Sequence, residues 1–239
     1  LGLILSNIAQ SQVLTTAAPV AALPQSYQDW AHPTNFGERF KYDINGNPIK
    51  NSFIIVLHET VGTADSAVNF FKTPHPESSA TSASYHAIIR RNGEIIYSVP
   101  FIYRAFGAGN SVFMGANGAE TVQTHKQFPS SVNNFALHFS LETPADGRHN
   151  GDTHSGYSQA QYRSLAWLTA FTKVPESRIT THKAVDRSRS RKDPRSFDKV
   201  LFSKMLRDSR RSARAHSIAI TDHPGTTNTH SSPQQTAAP

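Results

Sequence analysis

Two histidines and an aspartate stand where chemistry is to be expected. His58 follows a continuous apolar run, residues 53–57 (Phe-Ile-Ile-Val-Leu), His182 follows the short extended segment 179–181, and Asp193 comes 11 residues later, immediately before Pro194. Two imidazoles and a carboxylate offer zinc three ligands and leave the fourth tetrahedral position for water, the arrangement that metal-assisted hydrolysis needs. With 12 histidines and 17 acidic residues among 239, spacing alone does not single out this set. Asp-Pro also initiates turns, and Asp186 or Asp198 is an alternative carboxylate if the loop is registered differently. The absence of cysteine excludes a disulfide framework and every thiolate metal site.

These residues need elements to position them. The run at 53–57 reads as a buried strand ending at His58-Glu59-Thr60. Thr63 reads as the N-cap of a helix whose Ala67, Phe70 and Phe71 share one face before Pro74. Residues 85–90 and 94–99, joined by Arg91-Asn92-Gly93, carry a hairpin signature. Residues 104–134 hold many Gly and Asn and little periodicity, as a functional or mobile connection does. Residues 135–142 alternate, with Phe135, Leu137, Phe139 and Leu141 on one face and His138, Ser140 and Glu142 on the other, as in a half-buried strand. Ser158 then caps a helix containing Tyr162, Leu165, Leu168 and Phe171. The fold class is therefore α/β: a central mixed β-sheet flanked by helices, with the zinc site at the sheet edge where strand ends converge.

The ends differ from this middle. Residues 1–25 read as a disordered leader or signal-peptide remnant, and 207–239 as a basic, then low-complexity, disordered tail; the folded domain is expected over 26–206. Nothing approaches the roughly 20 apolar residues of a membrane-spanning helix. The net charge of +7 is concentrated: residues 183–214 hold 12 Lys/Arg against 4 Asp/Glu. That stretch matches no zinc-finger, helix-turn-helix or RNA-binding signature, which argues against a nucleic-acid partner. Its second half, 199–214, reads as a solvated helix able to rest on an anionic envelope polymer.

In order along residues 50–200, several blocks resemble the zinc-dependent N-acetylmuramoyl-L-alanine amidases related to phage lysozyme-type amidases and peptidoglycan recognition proteins. They are the strand ending in His58-Glu59-Thr60; Ser84-Tyr85-His86 with its hairpin; residues 104–111, similar to the segment lining the cleft; Phe139-Ser140-Leu141-Glu142; residues 157–162; Thr180-Thr181-His182; and Lys192-Asp193-Pro194. The resemblance implies one Zn2+ per chain held by His58, His182 and Asp193, with Glu142 as general base. It implies Arg191 or Lys192 as the cation at the oxyanion, and Tyr85, Phe106 and Asn110 as substrate contacts. The reaction implied is hydrolysis of the amide joining the muramic acid lactyl group to L-alanine of the peptidoglycan stem peptide, by a secreted, periplasmic or envelope-associated monomer. The sequence departs from the family pattern at Gly107, where relatives often carry His, and at His138 and Ser140, where a small, Gly-containing pattern is common. Two rivals follow: a muropeptide-binding protein of the same fold without catalysis, and a nucleic-acid binder. The remaining histidines in loops, His75, His125, His149 and His154, read as solvated.

Overall fold

The computed structural model describes residues 23–75 and 82–221. In chain order these form β1 (Ser26–Gln28), β2 (Phe36–Gly37), β3 (Ile54–Glu59), α1 (Ala64–Lys72), β4 (Ala87–Ile89), β5 (Ile95–Tyr97), β6 (Arg104–Ala105), β7 (Phe113–Gly115), β8 (Gly118–Glu120), β9 (Ala136–Leu141), α2 (Gln159–Thr172), β10 (Ile179–Thr181), α3 (His182–Val185) and α4 (Lys199–Thr221). One sheet of six strands, in the order β1-β5-β4-β9-β3-β10, organises the molecule. Only the β4–β5 hairpin is antiparallel, while β1–β5, β4–β9, β9–β3 and β3–β10 are parallel, so the sheet is mixed as expected. Two small antiparallel pairs, β2–β6 and β7–β8, flank it.

Helices cover both faces. Ile55, Leu57, Ile89, Phe139 and Leu141 pack beneath α2 and α4 through Leu165, Leu168, Phe202 and Leu206. On the opposite face Ile88 and Ile96 meet Ala64, Val68 and Phe71 of α1, and Ile54 and Val56 meet Ala108, Val132 and Phe135. Helices α1 and α2 start where the sequence says. Thr63 accepts from the Ser66 amide at 3.0 Å. Ser158 and Gln161 form a reciprocal capping box. Gly93 closes the hairpin at φ +90°, and a Cβ there would lie 3.0 Å from the Ala160 carbonyl of α2, so the turn and the close approach both require glycine.

Two expectations are revised. β9 is not half-buried: all six of its residues are buried, His138 and Ser140 included, and the connection that begins with β6 and Gly107 lies over the face that alternation assigned to solvent. A parallel strand in the middle of a sheet is normally covered on both sides. Nor is α4 solvated all round, since Phe202 and Leu206 are buried against α2, and the helix continues past 206 to Thr221. Residues 1–22 of the expected leader and 222–239 of the expected tail lie outside the described residues.

Candidate metal centre and its cleft

His58 occupies the carboxyl end of β3, and Thr181 of β10 registers with Leu57, so His58 and His182 follow as neighbours at the ends of two adjoining parallel strands. His182 does not close a strand but opens α3, which Thr181 caps by accepting from the Ala184 amide at 3.2 Å. The loop after α3 brings Asp193 back, and its carbonyl accepts from the Lys183 amide at 2.9 Å. His58 Nδ1 then lies 3.2 Å and His182 Nδ1 3.1 Å from Asp193 Oδ2. All three residues are buried, and one ligand atom from each falls within 4.8 Å of the others. Zinc bonds of about 2.0–2.1 Å at tetrahedral angles separate ligand atoms by roughly 3.3 Å. The donor set and its spacing therefore suit that ion.

The alternatives for the carboxylate are occupied elsewhere. Asp186 folds its own loop, accepting from the amides of Ser188, Ser190 and Arg191 at 3.0, 2.8 and 2.9 Å. Asp198 accepts from the Leu201 amide at the start of α4.

Burial governs the electrostatics. It depresses His58 to about 4 against the opposing hydrogen bond that His58 donates to Asp193, which favours the neutral imidazole that a metal needs. For Asp193 burial works upward, yet the hydrogen bonds to His182 and His58 hold its carboxyl well below the usual carboxylate range. Tyr85 stacks on His58, with centroids 4.4 Å apart and planes 24° apart. Burial, then the nearby Asp193 charge, pushes its phenol upward and keeps it a donor.

Glu142 requires a correction. Its carboxylate accepts from the Ala64 amide at the start of α1 (3.1 Å) and from the Arg91 amide in the hairpin turn (3.0 Å). The residue in register with His58 on β9 is Ser140, not Glu142. Glu142 thus anchors α1 and the hairpin, and the expectation of a general base there is withdrawn. The family-like segment at 139–142 had suggested that role without revealing which of its residues faces His58.

The two cations separate. Lys192 Nζ is held by Asp152 at 2.6 Å and by the Asn150 carbonyl at 2.9 Å. Arg191 has no side-chain carboxylate partner among the described ion pairs, and its charge reaches both His58 and Tyr85. Both line a cleft of about 290 Å³ with Glu59, Val61, His149, Asn150, Gly151, Ser190, Asp193 and Arg195. Phe106 is half-buried with Arg104 over its ring at 5.2 Å, and Asn110 is exposed, its carbonyl accepting from the Arg187 amide. The structure brings neither against the three ligands.

Sequence reasoning missed the groups that hold this cleft together. Glu59, 3 % exposed, receives Arg195 Nε at 2.6 Å, His154 Nε2 at 3.0 Å, the Tyr157 hydroxyl at 3.1 Å and the Thr143 hydroxyl at 3.3 Å. His154, expected to be solvated, has its side chain closed off from solvent by this contact. His75 likewise pairs with Asn35 at 3.0 Å. An acid adjoining His58 and an Arg two residues past Asp193 were the available signal.

The family model for N-acetylmuramoyl-L-alanine amidases matches residues 46–196, which include all three candidate ligands. The chain belongs to that family. Among its relatives, the 1,6-anhydro-N-acetylmuramyl-L-alanine amidase AmpD of Citrobacter freundii is 30% identical over 130 residues, covering 53% of this chain and 58% of that protein. The chain thus spans somewhat over half the length of this curated relative. The crystal structure of a selenomethionine derivative of AmpD superposes with a TM-score of 0.52 at 24% identity, covering 78% of this chain and 96% of that one. That likeness carries the amidase fold.

Proposed function

We propose that this amidase-family chain is a zinc-dependent N-acetylmuramoyl-L-alanine amidase acting on peptidoglycan or its muropeptide fragments in the cell envelope. The observation that carries the reading is the convergence of His58 Nδ1, His182 Nδ1 and Asp193 Oδ2 beside an open cleft. When bound there, zinc would acidify a water and polarise the scissile carbonyl. The chain's own groups do the rest. Asp193 and the two imidazoles hold their donor atoms in place. Tyr85, kept protonated, presents a donor beside His58, and Arg191 supplies positive charge toward the oxygen that becomes an oxyanion. The folded unit doing this is taken as residues 26–206, since Phe202 and Leu206 belong to the core.

Release of free stem peptide from sacculi and from soluble muropeptides, with and without a chelator, tests this reading. The expected result is cleavage that stops with chelation and returns with zinc; chelator-resistant cleavage sinks the metal assignment. One observation favours a second reading, binding without cleavage: Ser140 occupies the register position opposite His58, and Glu142 is committed to backbone amides. Zinc-loaded protein that binds sacculi and releases no peptide supports that reading instead.

A further inference from the structure

We propose that His138 is a positioning residue for His58, orienting it toward the metal, and that the absence of a side chain at Gly107 is what lets it do so. This rests on the zinc reading above. His58 Nε2 and His138 Nδ1 are 2.9 Å apart, and both residues are fully buried. When His58 Nδ1 gives its lone pair to a metal beside Asp193, the proton of the neutral imidazole sits on Nε2. Nε2 then donates, and His138 Nδ1 accepts. Histidine ligands of metals are commonly oriented in this way by an acceptor on the far nitrogen, usually a carboxylate, a carbonyl or water. Here the acceptor is a second imidazole.

His138 is itself fixed by two neighbours. Its backbone amide donates to His86 Nδ1 at 2.9 Å, and the two rings stack with planes 9° apart and centroids 5.9 Å apart. His86 Nε2 donates to the Tyr103 carbonyl at 3.1 Å, which leaves its Nδ1 free to accept. The third constraint is Gly107: a Cβ there would fall 2.3 Å from His138 Nδ1 and 2.4 Å from Cγ, inside any permitted contact. The two departures at 107 and 138 are thus one feature, because a histidine at 138 fits in this rotamer only if 107 has no side chain. His138 Nε2 has no partner among the described residues, so the ring's one engaged nitrogen is the one facing His58.

The test is zinc affinity by chelator competition for wild type, His138→Leu, His138→Asn, His138→Ala, Gly107→Ala and the pair Gly107→Ala/His138→Ala, with urea unfolding of each metal-free protein alongside. Loss of a far-nitrogen partner typically weakens metal binding by 10–100-fold. His138→Leu keeps the bulk without the acceptor and should show that loss. His138→Asn puts an amide oxygen near the position of Nδ1 and should recover most of it. Gly107→Ala should weaken binding in the wild-type background and have no further effect once His138 is alanine. Zinc binding by His138→Leu or Gly107→Ala equal to wild type, or His138→Asn no better than His138→Leu, overturns the inference while leaving the zinc reading standing. A wild type that binds no zinc overturns both.

Discussion

Glu59→Ala should cost more stability than any surface change near the cleft, and the structure gives the size. Glu59 and Arg195 have side chains 1% and 3% exposed, and Glu59 Oε1 meets Arg195 Nε at 2.6 Å. Removing one partner of a buried pair costs roughly 3–5 kcal/mol, because the other charge stays desolvated. Two effects place the value near the lower bound. Arg195 keeps hydrogen bonds to the carbonyls of His149 and Gly151 at 2.7 and 2.8 Å, and the cleft that Glu59 lines can admit water to the His154 and Tyr157 donors. The expected loss is therefore about 3 kcal/mol, a large part of the roughly 5–15 kcal/mol that a domain of this kind possesses. Glu59→Gln, which keeps the shape, should lose less. Urea unfolding at pH 7 of metal-free protein is the assay, since bound zinc would mask the effect through Asp193, two residues from Arg195. A cycle of Glu59→Gln, Arg195→Met and the double variant isolates the pair. An alanine variant within about 1 kcal/mol of wild type, or a coupling near zero, refutes the argument that this pair clamps the cleft.

The other predictions concern single groups. Burial holds the folded-state values of His58 at about 4, His86 at about 3 and His138 well below 6.5. The unfolded chain therefore takes up protons first as pH falls below about 6.5, and metal-free protein should lose stability at up to about 4 kcal/mol per pH unit for three protons; a urea midpoint flat from pH 6.5 to 5 contradicts this. Glu142→Gln should destabilise by about 1–2 kcal/mol through loss of the charged anchor for α1 and the hairpin, with zinc affinity unchanged by chelator competition. Arg191→Met should lower kcat by about 10²–10³, whereas Lys192→Met, which breaks an exposed pair with Asp152, should leave it within a few-fold; stem-peptide release kinetics decide between them. Gln at Arg207, Arg210, Arg211 and Arg214, which line a common groove on α4, should weaken sacculus sedimentation at low salt while sparing turnover of soluble muropeptides.

The sequence revealed local patterns and missed what depends on three-dimensional closure. Strand β3, the hairpin with its glycine turn, and the caps at Thr63 and Ser158 all follow from signals within a few residues, and the structure has them. His58 and His182 were legible as neighbours because each directly follows a recognisable extended run, whereas the choice of Asp193 over Asp186 or Asp198 depended on how the loop folds. The burial of His138 and Ser140 was not, because alternation reports two faces and says nothing of whether a helix or a loop covers the second. Glu142 misled for a related reason. Its polar face was read correctly, but two backbone amides from distant segments claim its carboxylate, and no spacing rule announces such a claim. His154 and Glu59, 95 residues apart, meet only because the 143–156 loop folds over the end of β3.

Of the three candidate ligands, His58 belongs to the ladder of a parallel sheet, His182 directly follows the neighbouring strand as the first residue of α3, and only Asp193 rides on a loop. The separation of His58 and His182 is tied to the spacing of neighbouring strands, roughly 4.8 Å. It is as stiff as the sheet, which must be largely unmade to change it. Asp193 is held instead through its carbonyl on the Lys183 amide, so the candidate metal centre consists of a rigid two-toothed jaw and a third tooth carried by a loop. A change in residues 186–195 would then move the carboxylate alone and leave the two imidazoles where the sheet sets them. Substituting that segment alone offers a route to other ions without redesigning the core.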